Sequence, residues 1–145
     1  MNLSFDLTLA EKYHSPSQIA RVLTETWVEE NMFCPRCGCI RIKHFPNNSP
    51  VADFFCPECQ NQYELKSISG RFGHKINDGA YDTMIERITS RQNPDFLFMN
   101  YNKASDKNVE NLISVPKHFF VPDIIENVSR CQRMLIVPDG RAATF

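Results

Sequence analysis

The sequence predicts an α/β (α+β) domain built around a zinc-ribbon-like site of four cysteines. Two observations from the sequence lead to this prediction. Segments with helical spacing of apolar residues alternate with short strand-like segments, and two Cys-x-x-Cys pairs occur within residues 34–59. A third observation sets the size: 145 residues, of which 42% are hydrophobic, suffice for one domain with one modest core.

Composition and charge exclude some classes of protein. No apolar run is long enough to span a bilayer, and the acid-containing N-terminus MNLSFDLTLAEKYHS is not a secretory signal. We therefore expect a cytoplasmic protein that does not bind membranes. The net charge of -1 does not by itself predict nucleic-acid binding, so a DNA-binding chain of this charge would need a local basic patch.

The first predicted element is a helix over SPSQIARVLTETWVEENM. Ser15 can cap its N-terminus and Pro16 suits its first position. Apolar side chains recur at helical spacing at Ile19, Val22, Leu23 and Trp27. The first knuckle, CPRCGC, follows this helix.

The middle of the chain predicts a hairpin with a metal at its tip. After the loop PNNSP, the segments VADFF and QYELKSIS have strand character and are joined through the second Cys-x-x-Cys pair. A second helix is predicted over NDGAYDTMIERITSRQ. Two strands, DFLFMNY and LISV, follow it, and PDIIENV begins a short helix.

The cysteine spacing predicts a structural zinc site. Disulfides fit poorly in a chain without a secretory signal, because the cytosol keeps thiols reduced. Thiolates are strong zinc ligands, and two short knuckles can supply a closed tetrahedral site from Cys34, Cys37, Cys56 and Cys59. The alternative is a set of reduced, buried cysteines. Cys39 and His44 are nearby alternative ligands, but neither has the paired spacing.

A second candidate site is formed by Asp53, Glu64 and Lys66. Residues i and i+2 of a strand share a face, so Glu64 and Lys66 lie together, and Asp53 can come beside Glu64 in an antiparallel hairpin. The two carboxylates and the backbone carbonyl of Leu65 can hold Mg²⁺, and Lys66 can assist an attacking water. The alternative is that these are ordinary charged surface residues. Charged residues without a role are, however, disfavoured within strands as apolar as these.

Several longer stretches carry a family resemblance, namely ARVLTETWV, CPRCG, HFPNN, PVADFFCPEC, YELKS, INDGAYDTM and NPDFLF. In their order and spacing they resemble the catalytic domain of the DpnI family of methyl-directed restriction endonucleases, over most of residues 1–120. The resemblance implies a PD-(D/E)xK fold, in which a mixed sheet is flanked by helices and carries a zinc site. It implies catalytic roles for Asp53, Glu64 and Lys66, and zinc ligation by the four paired cysteines.

The same resemblance implies the substrate and cofactors. These are duplex DNA with adenine-methylated GATC, cut on both strands, with catalytic Mg²⁺ and structural Zn²⁺. We expect a monomer. Glu25 on the first helix could approach the metal site, although a solvated acid is the simpler interpretation.

The resemblance fades after PDIIEN, which predicts a nuclease domain over residues 1–126 and a divergent tail over 127–145. The ending IVPDGRAATF can be encoded by codons whose second reading frame gives Arg-Ala-Gly-Trp-Ala-Gly-Cys-Asn-Ile, which is similar to the way the family's sequence continues at this point and suggests a frameshift. The C-terminal winged-helix domain of the family is then expected to be absent, and the chain to be truncated. The alternative function is a zinc-ribbon DNA-binding module, or an inactive nuclease fragment without catalytic activity.

Overall fold

Five strands form one mixed sheet in the computed structural model, which describes residues 2–46, 52–76 and 81–127 of the chain. The strands are β1 (Lys43–His44), β2 (Phe54–Phe55), β3 (Gln62–Ser69), β4 (Asp95–Tyr101) and β5 (Val109–Val115). They lie side by side in chain order. Strands β3 and β4 are parallel and the other neighbours are antiparallel, so the sheet is mixed.

The first predicted helix is confirmed as α1 (Pro16–Asn31). Ser15 has the extended backbone of an N-cap residue, but its hydroxyl pairs with the hydroxyl of Ser17 (2.8 Å) and does not cap the helix. The buried face consists of Leu23, Thr24, Trp27 and Val28. It is therefore shifted around the helix from the predicted apolar stripe, since Ile19 and Val22 are only half-buried. Thr24 can be buried because its hydroxyl donates to the backbone carbonyl of Ala20 (2.8 Å).

Helix α1 packs on one face of the sheet, where the core is formed by Tyr63, Leu97 and Met99 together with Leu23 and Trp27 of the helix. Alternation along β3 turns Glu64 and Lys66 to the opposite face. Helix α2 (Tyr81–Thr89) reaches that face through Arg87, which contacts Glu64. Glu64 is therefore held between β3 and a second helix, and Lys66 pairs with it on the same face.

The aromatic residues of β4 and the turn after β5 cover the rest of that face. Phe96 and Phe98 stack on β4, and Phe120 packs against both rings. Phe120 follows a 3-10 helix at Lys117–Phe119, and a second 3-10 helix occupies Pro122–Ile124, where PDIIENV predicted a short helix. Within residues 2–46, 52–76 and 81–127, no helix combines the length and apolar character needed to cross a bilayer.

Three predictions fall on parts of the chain outside the described residues. They concern most of the PNNSP loop, the first residues of the second predicted helix, and all of the predicted tail except Asn127. The boundary between a nuclease domain and a divergent tail therefore stays a prediction.

A candidate zinc centre beside a candidate active site

The four paired cysteines come together in one cluster. The sulfurs of Cys34, Cys37, Cys56 and Cys59 all lie within 4.8 Å of one another. The Cys37–Cys56 sulfurs are 3.5 Å apart and the Cys34–Cys59 sulfurs 3.7 Å. A tetrahedral zinc ion with Zn–S bonds of about 2.3 Å separates its sulfurs by about 3.8 Å, whereas a disulfide needs about 2.05 Å. The spacing therefore fits zinc ligation and does not fit disulfides.

Both knuckles have the same backbone turn. The N–H of Gly38 donates to the carbonyl of Cys34 (2.9 Å), and the N–H of Gln60 donates to the carbonyl of Cys56 (3.0 Å). Each turn ends in a left-handed conformation, with φ of 80° at Gly38 and 61° at Gln60. Glycine adopts this conformation without strain, while the Gln60 side chain binds the carbonyl of Pro57 (2.9 Å). The two halves of the cluster are thus built alike from different residues.

The charge state of the cysteines also fits a cation. Burial acts to raise the pKa of Cys34, but hydrogen bonds from the Tyr63 hydroxyl (3.0 Å) and from backbone N–H groups lower this pKa to about 6. The hydrogen bond from the Cys39 backbone acts to lower the pKa of Cys37, but desolvation within the cluster and hydrogen bonds with the neighbouring sulfurs raise this pKa to about 12. Four crowded thiolates cannot coexist without a positive charge among them, and Zn²⁺ would supply it.

Neither alternative zinc ligand joins this cluster among the described residues. The thiol of Cys39 lies 3.5 Å from the carbonyl of Arg41, and its backbone carbonyl accepts a hydrogen bond from the N–H of Cys34 (2.8 Å). The His44 ring pairs with Glu25. Cys39 therefore shapes the knuckle through its backbone, and His44 belongs to the second site.

Asp53 ends the pairing between β2 and β3. The register ends at the pair Phe54–Tyr63, so Asp53 lies just before β2, next to the part of β3 that carries Glu64. The N–H of Asp53 donates to the carbonyl of Tyr63 (3.1 Å), and its carboxylate accepts from the N–H of Leu65 (2.8 Å). The N–H and C=O of one strand residue point to the same neighbour, so the Leu65 carbonyl also faces the Asp53 side.

Glu64 is a buried carboxylate between two cations. Its side chain is 7% exposed. Lys66 Nζ lies 2.7 Å from Glu64 Oε1, and the Arg87 guanidinium donates to Glu64 Oε2. A buried carboxylate requires such compensation, because its desolvation costs several kcal/mol. The sequence analysis did not identify Arg87, since nothing in the sequence showed that α2 would lie over β3.

Asp53 and Glu64 influence each other electrostatically. Burial raises the pKa of Asp53, the hydrogen bond from the Leu65 N–H opposes this rise, and the negative charge of Glu64 adds to it. Lys66 and His44 act in the opposite direction. Two carboxylates and a backbone carbonyl on one side form the all-oxygen donor set that Mg²⁺ prefers. The residues therefore fit a hard cation, although both oxygens of Glu64 already have partners.

Glu25 and His44 interact electrostatically with Asp53, and with Asp53 and Glu64 they form what we call the acidic cluster. His44 Nε2 lies 2.7 Å from Glu25 Oε2, and the His44 backbone N–H donates to Glu29 one helical turn further along α1 (3.2 Å). Burial raises the pKa of Glu25 against the effect of His44, and the charge of Asp53 adds to the rise. The Glu25 side chain is 17% exposed, so it is a partner in the cluster rather than a solvated helix acid.

The two sites share the hairpin and one residue within it. The N–H of Cys56 donates to the carbonyl of Asn61 (2.8 Å), which closes the second knuckle just beyond β2. Tyr63 donates toward the sulfur of Cys34 and accepts, through its carbonyl, from the N–H of Asp53. The position of Asp53 against β3 is therefore linked directly to the cysteine cluster.

A comparison with protein families extends over both sites. The model of the DpnI, Dam-replacing family matches residues 1–135 of the chain. This range contains the four paired cysteines, the acidic cluster and helix α2, and it continues past Glu126, where the resemblance in the sequence analysis fades.

Proposed function

The chain belongs to the DpnI, Dam-replacing family, and on this premise we propose that it is a type II restriction endonuclease. Its proposed substrate is duplex DNA with adenine-methylated GATC, in which it hydrolyses phosphodiester bonds on both strands. The observation that carries the proposal is the hydrogen bond by which the Asp53 carboxylate is held at Leu65, the residue between Glu64 and Lys66, together with the pairing of Glu64 and Lys66 with each other. This pattern of two acids and a lysine is typical of the PD-(D/E)xK fold, which we propose for this domain.

We assign the catalytic metal to Asp53, Glu64 and the carbonyl of Leu65. Bound Mg²⁺ would polarise the scissile phosphate and lower the pKa of a coordinated water. The protein itself contributes by holding the metal-binding side chains in position. The Leu65 N–H fixes the Asp53 carboxylate beside β3. Asp53 directly precedes β2, which pairs with β3, so the two strands keep Asp53 close to the segment that carries Glu64.

Lys66 is the proposed partner of the attacking water. Its ammonium lies on the face of β3 that carries Glu64, where it can orient a water and stabilise negative charge on the phosphate. The side chain is 21% exposed, which leaves it open to a substrate from the solvent side. The zinc proposed for the four cysteines has no open coordination position, so its role is to hold the hairpin.

The proposal is tested by cleavage of methylated and unmethylated plasmid in the presence of Mg²⁺. Asp53→Asn and Lys66→Ala should each lower the cleavage rate at least about 100-fold, since each removes a charge that acts in the transition state. Lys12→Ala is the matched control, because Lys12 is exposed and lies on the N-terminal segment. Cleavage by Lys66→Ala at the parent rate would remove Lys66 from the mechanism.

One observation favours the alternative of a DNA-binding module without catalysis. Both oxygens of Glu64 are engaged by Lys66 and Arg87, as expected for a charge network that only stabilises the fold. The same plasmid experiment separates the alternatives. A folded parent protein that binds duplex DNA but leaves it uncut with Mg²⁺ would support the binding module.

A further inference from the structure

Arg87 occupies an oxygen that the proposed metal site needs. Its guanidinium donates to Glu64 Oε2, while Lys66 holds Oε1. Mg²⁺ is bound through carboxylate oxygens, and at Glu64 it would lie next to the positive charges of both Arg87 and Lys66. The guanidinium and the divalent cation therefore compete for this carboxylate, and their repulsion favours movement of one of the two basic side chains when the metal binds.

Of the two basic side chains at Glu64, that of Arg87 is better placed to move than that of Lys66. Lys66 belongs to the same strand as Glu64 and lies two residues away, whereas Arg87 reaches across from the last turn of α2. Its side chain is 30% exposed, compared with 7% for Glu64, so part of it already meets solvent. The planar guanidinium also matches the oxygens of a phosphate, which it can bind through two hydrogen bonds.

We propose that Arg87 exchanges partners during the reaction cycle. It pairs with Glu64 in the metal-free protein, and it contacts a DNA phosphate near the cut once a divalent cation has taken its place. Arg87 is thus a positioning residue that couples metal binding to DNA binding. This inference rests on the proposed nuclease function.

The charges of the site agree with such an exchange. In the metal-free protein, Lys66 and Arg87 both pair with Glu64 and so place two positive charges on one carboxylate. A divalent cation adds two positive charges, which favour the release of Arg87 from Glu64 and attract a phosphate. By linkage, a cation that raises the affinity for DNA must have its own affinity raised by DNA to the same extent.

The first test measures Mn²⁺ binding without DNA, by calorimetry on the parent, Arg87→Gln and Arg91→Gln. Arg91 follows the same helix and is exposed, so its substitution removes the same charge away from Glu64. Arg87→Gln should bind Mn²⁺ about 5- to 10-fold more tightly than the parent, because the competing hydrogen bond is gone. Arg91→Gln should match the parent.

The second test measures DNA affinity as a function of salt, with Ca²⁺ and without added divalent cation. With Ca²⁺, Arg87→Gln should bind DNA more weakly, and the slope of log affinity against log salt should fall by about one. Without added cation it should match the parent, because Arg87 is then held by Glu64. A chelator is not used, because it would also remove zinc from the cysteine cluster. A merely structural role for Arg87 would not produce opposite changes in metal and DNA affinity.

The outcomes separate this inference from the proposed function. Mn²⁺ affinity that is unchanged or lower in Arg87→Gln would overturn the inference, while the metal site would stand. A parent protein that binds no divalent cation would overturn both. If Arg87→Gln does not fold, Arg87→Met decides. It keeps a side chain of similar length and removes the charge, so DNA affinity with Ca²⁺ equal to that of the parent would refute the phosphate contact.

Discussion

Tyr63 is the residue at which the cysteine cluster and the acidic cluster meet. Its ring is fully buried, its hydroxyl lies 3.0 Å from the sulfur of Cys34, and its carbonyl holds the N–H of Asp53. A hydrogen bond to a metal-binding thiolate stabilises the charged form and orients the ligand. Tyr63 therefore lowers the pKa of one cysteine through its side chain and holds Asp53 against β3 through its backbone.

Tyr63→Phe should lower zinc affinity about 10-fold, because it removes the donor to Cys34 and leaves the ring in place. Competition with a chromogenic chelator measures this change. Tyr101→Phe is the control, since Tyr101 is also buried and its ring packs on Phe5. Equal zinc affinity in Tyr63→Phe and the parent would show that the hydroxyl does not support the cluster.

Individual residues were predictable where local spacing determines their position. The grouping of the four cysteines followed from their spacing, and the proximity of Asp53 and Glu64 followed from the pairing of two adjacent strands. The roles of these residues remain predictions. Arg87 and the pairing of His44 with Glu25 were missed, because each depends on how a helix lies against the sheet. Sequence periodicity identifies the buried face of a helix but not its position over a strand.

At the scale of elements, the left-handed backbone of the first knuckle can be tested at Gly38. Gly38 has a φ of 80°, and a Cβ built on it meets nothing within 4 Å. Gly38→Ala should therefore destabilise the protein through backbone strain alone, by about 1 kcal/mol. Chemical denaturation measures the loss.

Gly73→Ala provides the control for this prediction. A Cβ at Gly73 comes 3.7 Å from the carbonyl oxygen of Lys75, an ordinary contact, and the residue does not require a left-handed backbone. Its substitution should leave stability unchanged or raise it slightly, because alanine restricts the unfolded chain. Equal losses at both positions would contradict the strain argument.

Most elements were predictable because their patterns are local. The first helix, both strands of the hairpin and the two later strands are confirmed, with bounds within one residue of the prediction except at two strands. Strand β2 is shorter than VADFF, and β5 is longer than LISV. Strand β1 was missed. It consists of two residues, Lys43 and His44, and exists because β2 lies beside it. So short a strand has no periodicity to detect.

At the scale of the whole molecule, zinc removal tests how far the domain depends on the cysteine cluster. A domain with a modest core has a small free energy of unfolding. The unfolded chain has no preformed zinc site, so the free energy of zinc binding adds to the stability of the folded state. Chelation of the metal should lower the melting temperature by about 10 °C or more. Thermal unfolding followed by circular dichroism checks the expectation.

Cys37→Ser and Cys39→Ser separate a metal effect from loss of a thiol. Cys37 belongs to the cluster and Cys39 does not. Cys37→Ser should reproduce the effect of chelation, and chelation should change it little further. Cys39→Ser should bind zinc with the parent's affinity. A parent that is purified folded and without stoichiometric zinc would contradict the assignment of the metal.

The N–H of Leu65 gives the acidic cluster a built-in spectroscopic indicator. This amide is held by a side-chain carboxylate, that of Asp53, whereas a strand amide usually donates to a backbone carbonyl. Any event that draws charge out of the carboxylate weakens the hydrogen bond without unfolding the strand. The amide resonance of Leu65 should then shift during a titration with divalent cation, and its proton should exchange faster with solvent. A single assigned nuclear magnetic resonance peak would thus report occupancy of the site without DNA and without turnover.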